Sequence, residues 1–195
     1  MGERLEAGEL SRDEATELAR EYVLRSLTAA PRSRGQLADA LARKGYPQDV
    51  VDPLLDRLTE VGLVDDRAFA DMLVRTRHAE RGLSRRALAA ELRRKGIDTE
   101  TAEAALAQVD DADEVDAARE LVRKKLARSR GLDRDVRVRR TVAAVARKGY
   151  GPSLAFDLVR AELDAEPAEV DPVDVDSTEM DSADMNSADV DPTAR

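Results

Sequence analysis

The sequence predicts an all-α protein: three tandem three-helix repeats in an elongated, curved arrangement, followed by a disordered acidic C-terminal tail. Three observations carry this expectation. A short phrase is written three times, as Leu41-Ala42-Arg43-Lys44-Gly45-Tyr46, Leu92-Arg93-Arg94-Lys95-Gly96-Ile97 and Val145-Ala146-Arg147-Lys148-Gly149-Tyr150, with its glycines 51 and 53 positions apart. Recurrence at a near-constant interval is the signature of a repeat architecture. Apolar residues after each phrase follow i, i+3, i+4, i+7 spacing, the mark of an amphipathic helix. Aromatics are only 3% of the chain and Trp is absent. A core of Leu, Val and Ala suits packed helices better than sheets.

The phrase itself reads as a helix end. Arg and Lys in a last turn suit the negative pole of the helix dipole. Gly just beyond takes the left-handed conformation that closes a helix, and the bulky residue after it packs back. Taken in order, residues 1–10 are polar and loose. Ser11 opens a helix with Glu14 three positions on, a capping box, and Leu18, Tyr22, Val23 and Leu27 form its apolar face. Pro31 ends it. Ser33, with Gln36 in the reciprocal position, caps the next helix, whose stripe is Leu37 and Leu41. The third helix spans roughly 48–61, with Val50, Val51, Leu54, Leu55 and Leu58 inward. Pro53 is expected to mark its true first turn, with Asp52 as cap.

The second and third modules repeat the plan. Asp65 caps a helix carrying Phe69, Met72 and Leu73. Ser84 caps one carrying Leu88 and Leu92, and Asp98 caps the short helix after the second phrase. Asp110-Asp111-Ala112-Asp113 forms an acidic joint before a long helix with Ala118, Leu121, Val122 and Leu126 inward. Arg130-Gly131-Leu132-Asp133-Arg134 echoes the turn at 81–85. The modules are assigned to 11–62, 63–110 and 111–163. From 164 onward the chain is simple and acidic, with too little apolar bulk to offset its ordering entropy.

No catalytic, cofactor or metal motif is present. There is no Cys, and the single His78 holds no metal alone. Asp65-Asp66 reads as a helix cap with its neighbour rather than a carboxylate pair. Asp110-Asp111-Asp113 lacks the central Gly and terminal Glu of a calcium loop. The expected protein is therefore not an enzyme and uses no cofactor. No apolar run approaches a membrane span and the N-terminus lacks a signal-peptide core, which predicts a cytoplasmic protein away from membranes, and a monomer.

Charge is the informative feature. The net charge is −9, but residues 164–195 hold 11 acids against one base, so the acidity sits in the tail. Residues 119–148 contain 12 bases opposed by Glu120, Asp133 and Asp135. Concentrated positive charge is the footprint of a polyanion partner. The binding set chosen on this ground is Arg43, Lys44, Arg85, Arg86, Arg93, Arg94, Lys95, Arg123, Lys124, Lys125, Arg139, Arg140, Arg147 and Lys148. Major-groove reading by a helix-turn-helix is disfavoured. A recognition helix needs bases, whereas the helix after the turn carries Asp49, Asp52, Asp56 and Glu60 in module one, and Glu100 and Glu103 in module two. The acidic tail is expected either to compete electrostatically with phosphates or to act as solubilising charge without a partner.

Residues 15–163 resemble the RecX family of bacterial regulators of the RecA recombinase. The resemblance is carried by Gly62-Leu63-Val64-Asp65-Asp66-Arg67-Ala68-Phe69-Ala70, by Arg32-Ser33-Arg34-Gly35-Gln36-Leu37, by the first phrase, and by Glu91 leading into the second. It implies tandem three-helix repeats and a non-enzymatic regulator in DNA repair, homologous recombination and the SOS response. Such a regulator binds the RecA–single-stranded-DNA filament and inhibits its extension, ATP hydrolysis and strand exchange. It binds single-stranded DNA itself weakly and without sequence preference. The competing expectation is a non-specific single-stranded nucleic-acid-binding protein acting without RecA.

Overall fold

The computed structural model describes residues 7, 8 and 10–166. Among the described residues there are nine α-helices and no strand: α1 (Arg12–Ala29), α2 (Arg34–Arg43), α3 (Gln48–Glu60), α4 (Asp66–Arg81), α5 (Arg85–Arg94), α6 (Thr99–Leu106), α7 (Asp111–Ala127), α8 (Arg134–Ala146) and α9 (Pro152–Asp164). They form three three-helix modules in tandem. The acidic stretch beyond residue 166, and most of the first ten residues, lie outside the described residues.

Helix starts follow side-chain chemistry. Ser11, Ser33, Asp65, Ser84, Asp98, Asp110 and Asp133 each accept a hydrogen bond from a backbone N–H of the first turn. Each satisfies a donor the helix itself leaves orphaned. The recurring phrase ends the second helix of each module. Gly45, Gly96 and Gly149 have φ of 79°, 76° and 96°, a region that penalises any side chain. Tyr46 and Ile97 turn back so that their N–H groups donate to the carbonyls of Leu41 and Leu92, at 3.2 and 3.1 Å.

Each module buries its own core. In the first, Val23, Leu37, Leu41, Val51, Leu55 and Val64 meet. In the second Phe69, Leu73, Leu88, Leu92 and Ile97 do so, and in the third Val122, Leu126, Val145, Tyr150 and Val159. Fully burying an aliphatic side chain contributes about 1.5–3 kcal/mol. Burial raises the Tyr150 phenol to about 12, with the Glu114 carboxylate adding to the effect.

Two expectations are corrected. Pro53 lies inside α3, which starts at Gln48 with Pro47 as its N-cap. Pro53 removes one helix hydrogen bond, but it and Asp49, whose carbonyl loses its partner, are both exposed to water. The apolar stripe of α1 is Ala15, Ala19 and Val23, while Leu18 is 40% exposed.

The modules are joined twice by one device. The first turn of a second helix seats on the phrase of the next module. Ser33, fully buried, donates its hydroxyl to the Lys95 carbonyl at 2.5 Å. Gly35 lies so close to Gly96 that a Cβ on either would fall 2.8–2.9 Å from the other's Cα. The Arg34 N–H donates to Asp66 at 2.7 Å. At the second joint the Ser84 N–H donates to the Lys148 carbonyl at 3.0 Å. Arg86 Nε donates to the Gly149 carbonyl at 3.2 Å, and the Arg85 N–H donates to Glu114 at 3.1 Å.

Candidate functional site

Because each phrase ends a second helix, it places its cations at that helix's C-terminal pole. Because each joint seats one module on the next module's phrase, successive phrases share grooves. One groove, between α1, α2 and the end of α5, is lined by Arg32, Arg43, Arg94 and Lys95 together with Tyr22, Gln36 and Asp39. The next continues from Arg94 through Arg81, Arg86 and Arg93 to Lys125, Arg147 and Lys148. A third shares Lys125 and Arg147 and adds Arg128, Arg139 and Arg140. The three grooves adjoin through these shared residues and make one basic trough across all three modules.

The cations of the trough differ from the others in one respect. Arg32, Arg43, Arg81, Arg86, Arg93, Arg94, Lys95, Lys125, Arg128, Arg139, Arg140, Arg147 and Lys148 line it, and none forms an ion pair with a described residue. Cations elsewhere are largely neutralised: Arg34 by Asp56 at 2.7 Å, Arg77 by Glu91 at 3.1 Å, Arg119 by Asp116 at 3.0 Å and Arg134 by Asp164 at 2.5 Å. Only two acids line the trough, and one of them, Glu91, is held by Arg77. The acids of α3, α6 and α9 line none of the three grooves. An unpaired cation meets a phosphate by releasing only water and counter-ions. A paired one must first break its bridge.

Of the fourteen residues chosen from the sequence, the structure brings Arg43, Arg86, Arg93, Arg94, Lys95, Lys125, Arg139, Arg140, Arg147 and Lys148 into the trough. The other four point to other work. Arg123 pairs with Glu162 at 2.7 Å, which raises its guanidinium above the ordinary value. Lys124 pairs with Glu120 at 2.6 Å, and its hydrogen bond holds that carboxyl below the ordinary range. Arg85 pairs with Asp111 at 3.1 Å. The Lys44 ammonium lies 4.6 Å from the centroid of the Tyr22 ring. The fourteen did not include Arg32, nor Arg81 and Arg128, which belong to the basic clusters of the sequence. Arg128 had a signal: it stands three residues after Lys125 on the same helical face.

Among the described residues no group of three or more His, Cys, Asp or Glu side chains is placed to hold a metal ion. No helix among them is long and apolar enough to cross a membrane.

The described residues thus form a tandem array of three helical modules that share a basic trough. Residues 19–58, 65–106 and 112–159 match, respectively, the first, second and third three-helix domains of RecX. The chain is 53% identical over 152 residues to the regulatory protein RecX of Thermobifida fusca, covering 78% of this chain and 82% of that one. It is 48% identical over 163 residues to the RecX of Streptomyces lividans, covering 84% and 86%. The crystal structure of RecX from Lactobacillus salivarius superposes with a TM-score of 0.65 at 22% identity, over 78% of this chain and 98% of that one. This chain belongs to the RecX family of regulatory proteins.

Proposed function

We propose that this protein binds the RecA–single-stranded-DNA filament through the basic trough and inhibits filament extension, ATP hydrolysis and strand exchange. The observation that carries the reading is the gathering of unpaired cations along adjoining grooves of the three modules, set beside membership of a family of RecA regulators. A row of weak phosphate or carboxylate contacts from three linked modules gains by effective concentration, so the trough engages several neighbouring sites at once. The role is regulatory and non-enzymatic. It asks only for complementary charge and shape, which the trough supplies without any reactive group.

The test is RecA ATPase on single-stranded DNA, titrated with this protein and two variants. Wild type slows hydrolysis at substoichiometric ratios. Lys125→Glu/Arg139→Glu/Arg140→Glu, which breaks no ion pair, loses the effect with helicity intact. Arg123→Gln/Lys124→Gln, outside the trough, keeps it. Unchanged hydrolysis at wild-type protein equal to RecA overturns the reading. Tight binding to bare DNA without any effect on RecA supports instead a nucleic-acid-binding protein that acts alone.

A further inference from the structure

The groove at the first joint is chemically unlike the rest of the trough. It alone of the three basic grooves contains an aromatic ring, Tyr22, and a carboxylate without a partner, Asp39. Tyr22 is half-buried, with its ring packed on the core of module one. Gln36 accepts from the Ser33 N–H through Oε1 at 3.3 Å. That bond fixes the amide and leaves Nε2 as an unused donor. Asp39 is out of place in a site for phosphates alone, because it repels them. A free carboxylate acceptor beside a free amide donor matches the edge of a base that carries an amino group next to an acceptor. Cytosine presents that pattern at N4 and N3.

We propose that this groove, of about 360 Å³, is a nucleobase subsite. A base of single-stranded DNA stacks on Tyr22 with its edge on Asp39 and Gln36, while Arg43 and Arg94 take the flanking phosphates. The proposal rests on the trough reading and adds that the bound strand is single, because a paired base offers neither a free face nor a free edge. Lys44 is the competitor for the ring. Its exposed ammonium gains about two- to fivefold from a cation–π contact. Base stacking on an aromatic gains about five- to a hundredfold. The base therefore displaces an ammonium on a flexible stem, and that charge is freed to meet phosphate.

The full-length protein tests this with two oligomers of equal length and charge, oligodeoxycytidylate and its abasic counterpart. Tyr46 and Tyr150 are only 8% and 2% exposed, so quenching of tyrosine fluorescence on binding reports Tyr22. Wild type is expected to bind the cytidylate at least fivefold more tightly than the abasic strand, with quenching by the former only. Tyr22→Leu keeps an apolar contact with the core, so the fold stands. It should lose the preference while holding its affinity for the abasic strand, and Tyr22→Phe should retain both. Equal affinity of wild type for the two strands, or a preference that survives in Tyr22→Leu, overturns the subsite and leaves the trough intact. Binding of neither strand also overturns the subsite, and the filament reading then stands or falls on the ATPase titration alone.

Discussion

The two joints perform one task with different parts. Both seat a Ser-capped helix start on an Arg-Lys-Gly turn, and both give the first N–H of that helix to a carboxylate of the next module, Asp66 at the first joint and Glu114 at the second. At the first joint the contact is backbone against backbone, with Gly35 over Gly96, and the Ser33 hydroxyl donates across it. At the second, Arg86 stands where Gly35 stood, and the bonds across come from the Ser84 N–H and the Arg86 guanidinium. The first phrase, at Lys44 and Gly45, is exposed and has no such helix seated on it among the described residues. Among the described residues the same turn therefore acts once as a helix end alone and twice as a socket.

The sharpest way to break this comparison is to add one methyl at each phrase. Gly45→Ala, on an exposed turn, carries the strain of a positive φ, about 1–3 kcal/mol. Gly96→Ala adds a Cβ 2.9 Å from the Gly35 Cα. Gly149→Ala adds one 2.7 Å from the Ala87 Cβ. Overpacking of this kind adds about 1–3 kcal/mol more. Denaturant unfolding of the three variants should place Gly45→Ala well above the other two in stability. Equal losses would show that the sockets are loose and that only the turn conformation matters.

A smaller effect separates the two serines. Each hydroxyl caps its helix, accepting from the N–H of Gln36 or Ala87 at 3.2 Å, and loss of a cap costs about 0.5–2 kcal/mol. Ser33 has a second duty, because its hydroxyl satisfies the Lys95 carbonyl. Ser33→Ala leaves that acceptor without its partner, at about 1–3 kcal/mol. Ser84→Ala leaves the Lys148 carbonyl satisfied by a backbone N–H. Thermal melts should show Ser33→Ala as the more damaging change, and the reverse order would deny the hydroxyl its role across the joint.

What was legible in the sequence was local. Caps such as Ser11, Ser33, Asp65 and Ser84 announce themselves by residue type and by the apolar run that follows. The phrase announces both the repeat and the helix end. Six of the ten trough cations, Arg43, Arg93, Arg94, Lys95, Arg147 and Lys148, belong to the phrase itself, whereas Arg86, Lys125, Arg139 and Arg140 stand elsewhere on their helices. The rest depended on partners far along the chain. Arg123 joined the basic set because Glu162 stands 39 residues away, and no spacing rule connects them. The ion pair of Lys124 was readable, since Glu120 four residues earlier is the favoured orientation of a helical ion pair. The sockets were hidden because Ser33 and Lys95 lie 62 residues apart. Leu18 and Pro53 went astray for one reason: apolar and helix-breaking character were read without knowing which face met water.

The last contrast is the smallest and concerns charge at the first joint. Burial pushes the Asp66 carboxyl above its ordinary value of 3.8. The bond from the Arg34 N–H and the Arg34 charge oppose the shift, while Asp98 and Asp65 reinforce it. The folded protein therefore holds this proton more tightly than the unfolded chain does. The stabilisation that follows is fully present below pH 3.8, declines as pH rises through the folded pKa, and is gone above it. Asp66→Asn keeps an oxygen to accept from the Arg34 N–H but has no proton to lose. Relative to wild type, the variant should gain stability as pH rises from 3.8 through the folded pKa, and the difference should then stay flat. Unfolding free energies of the pair across an acid-to-neutral series read this directly. A difference that does not change with pH would mean that Asp66 is as well solvated in the joint as in the unfolded chain, and that the socket admits water.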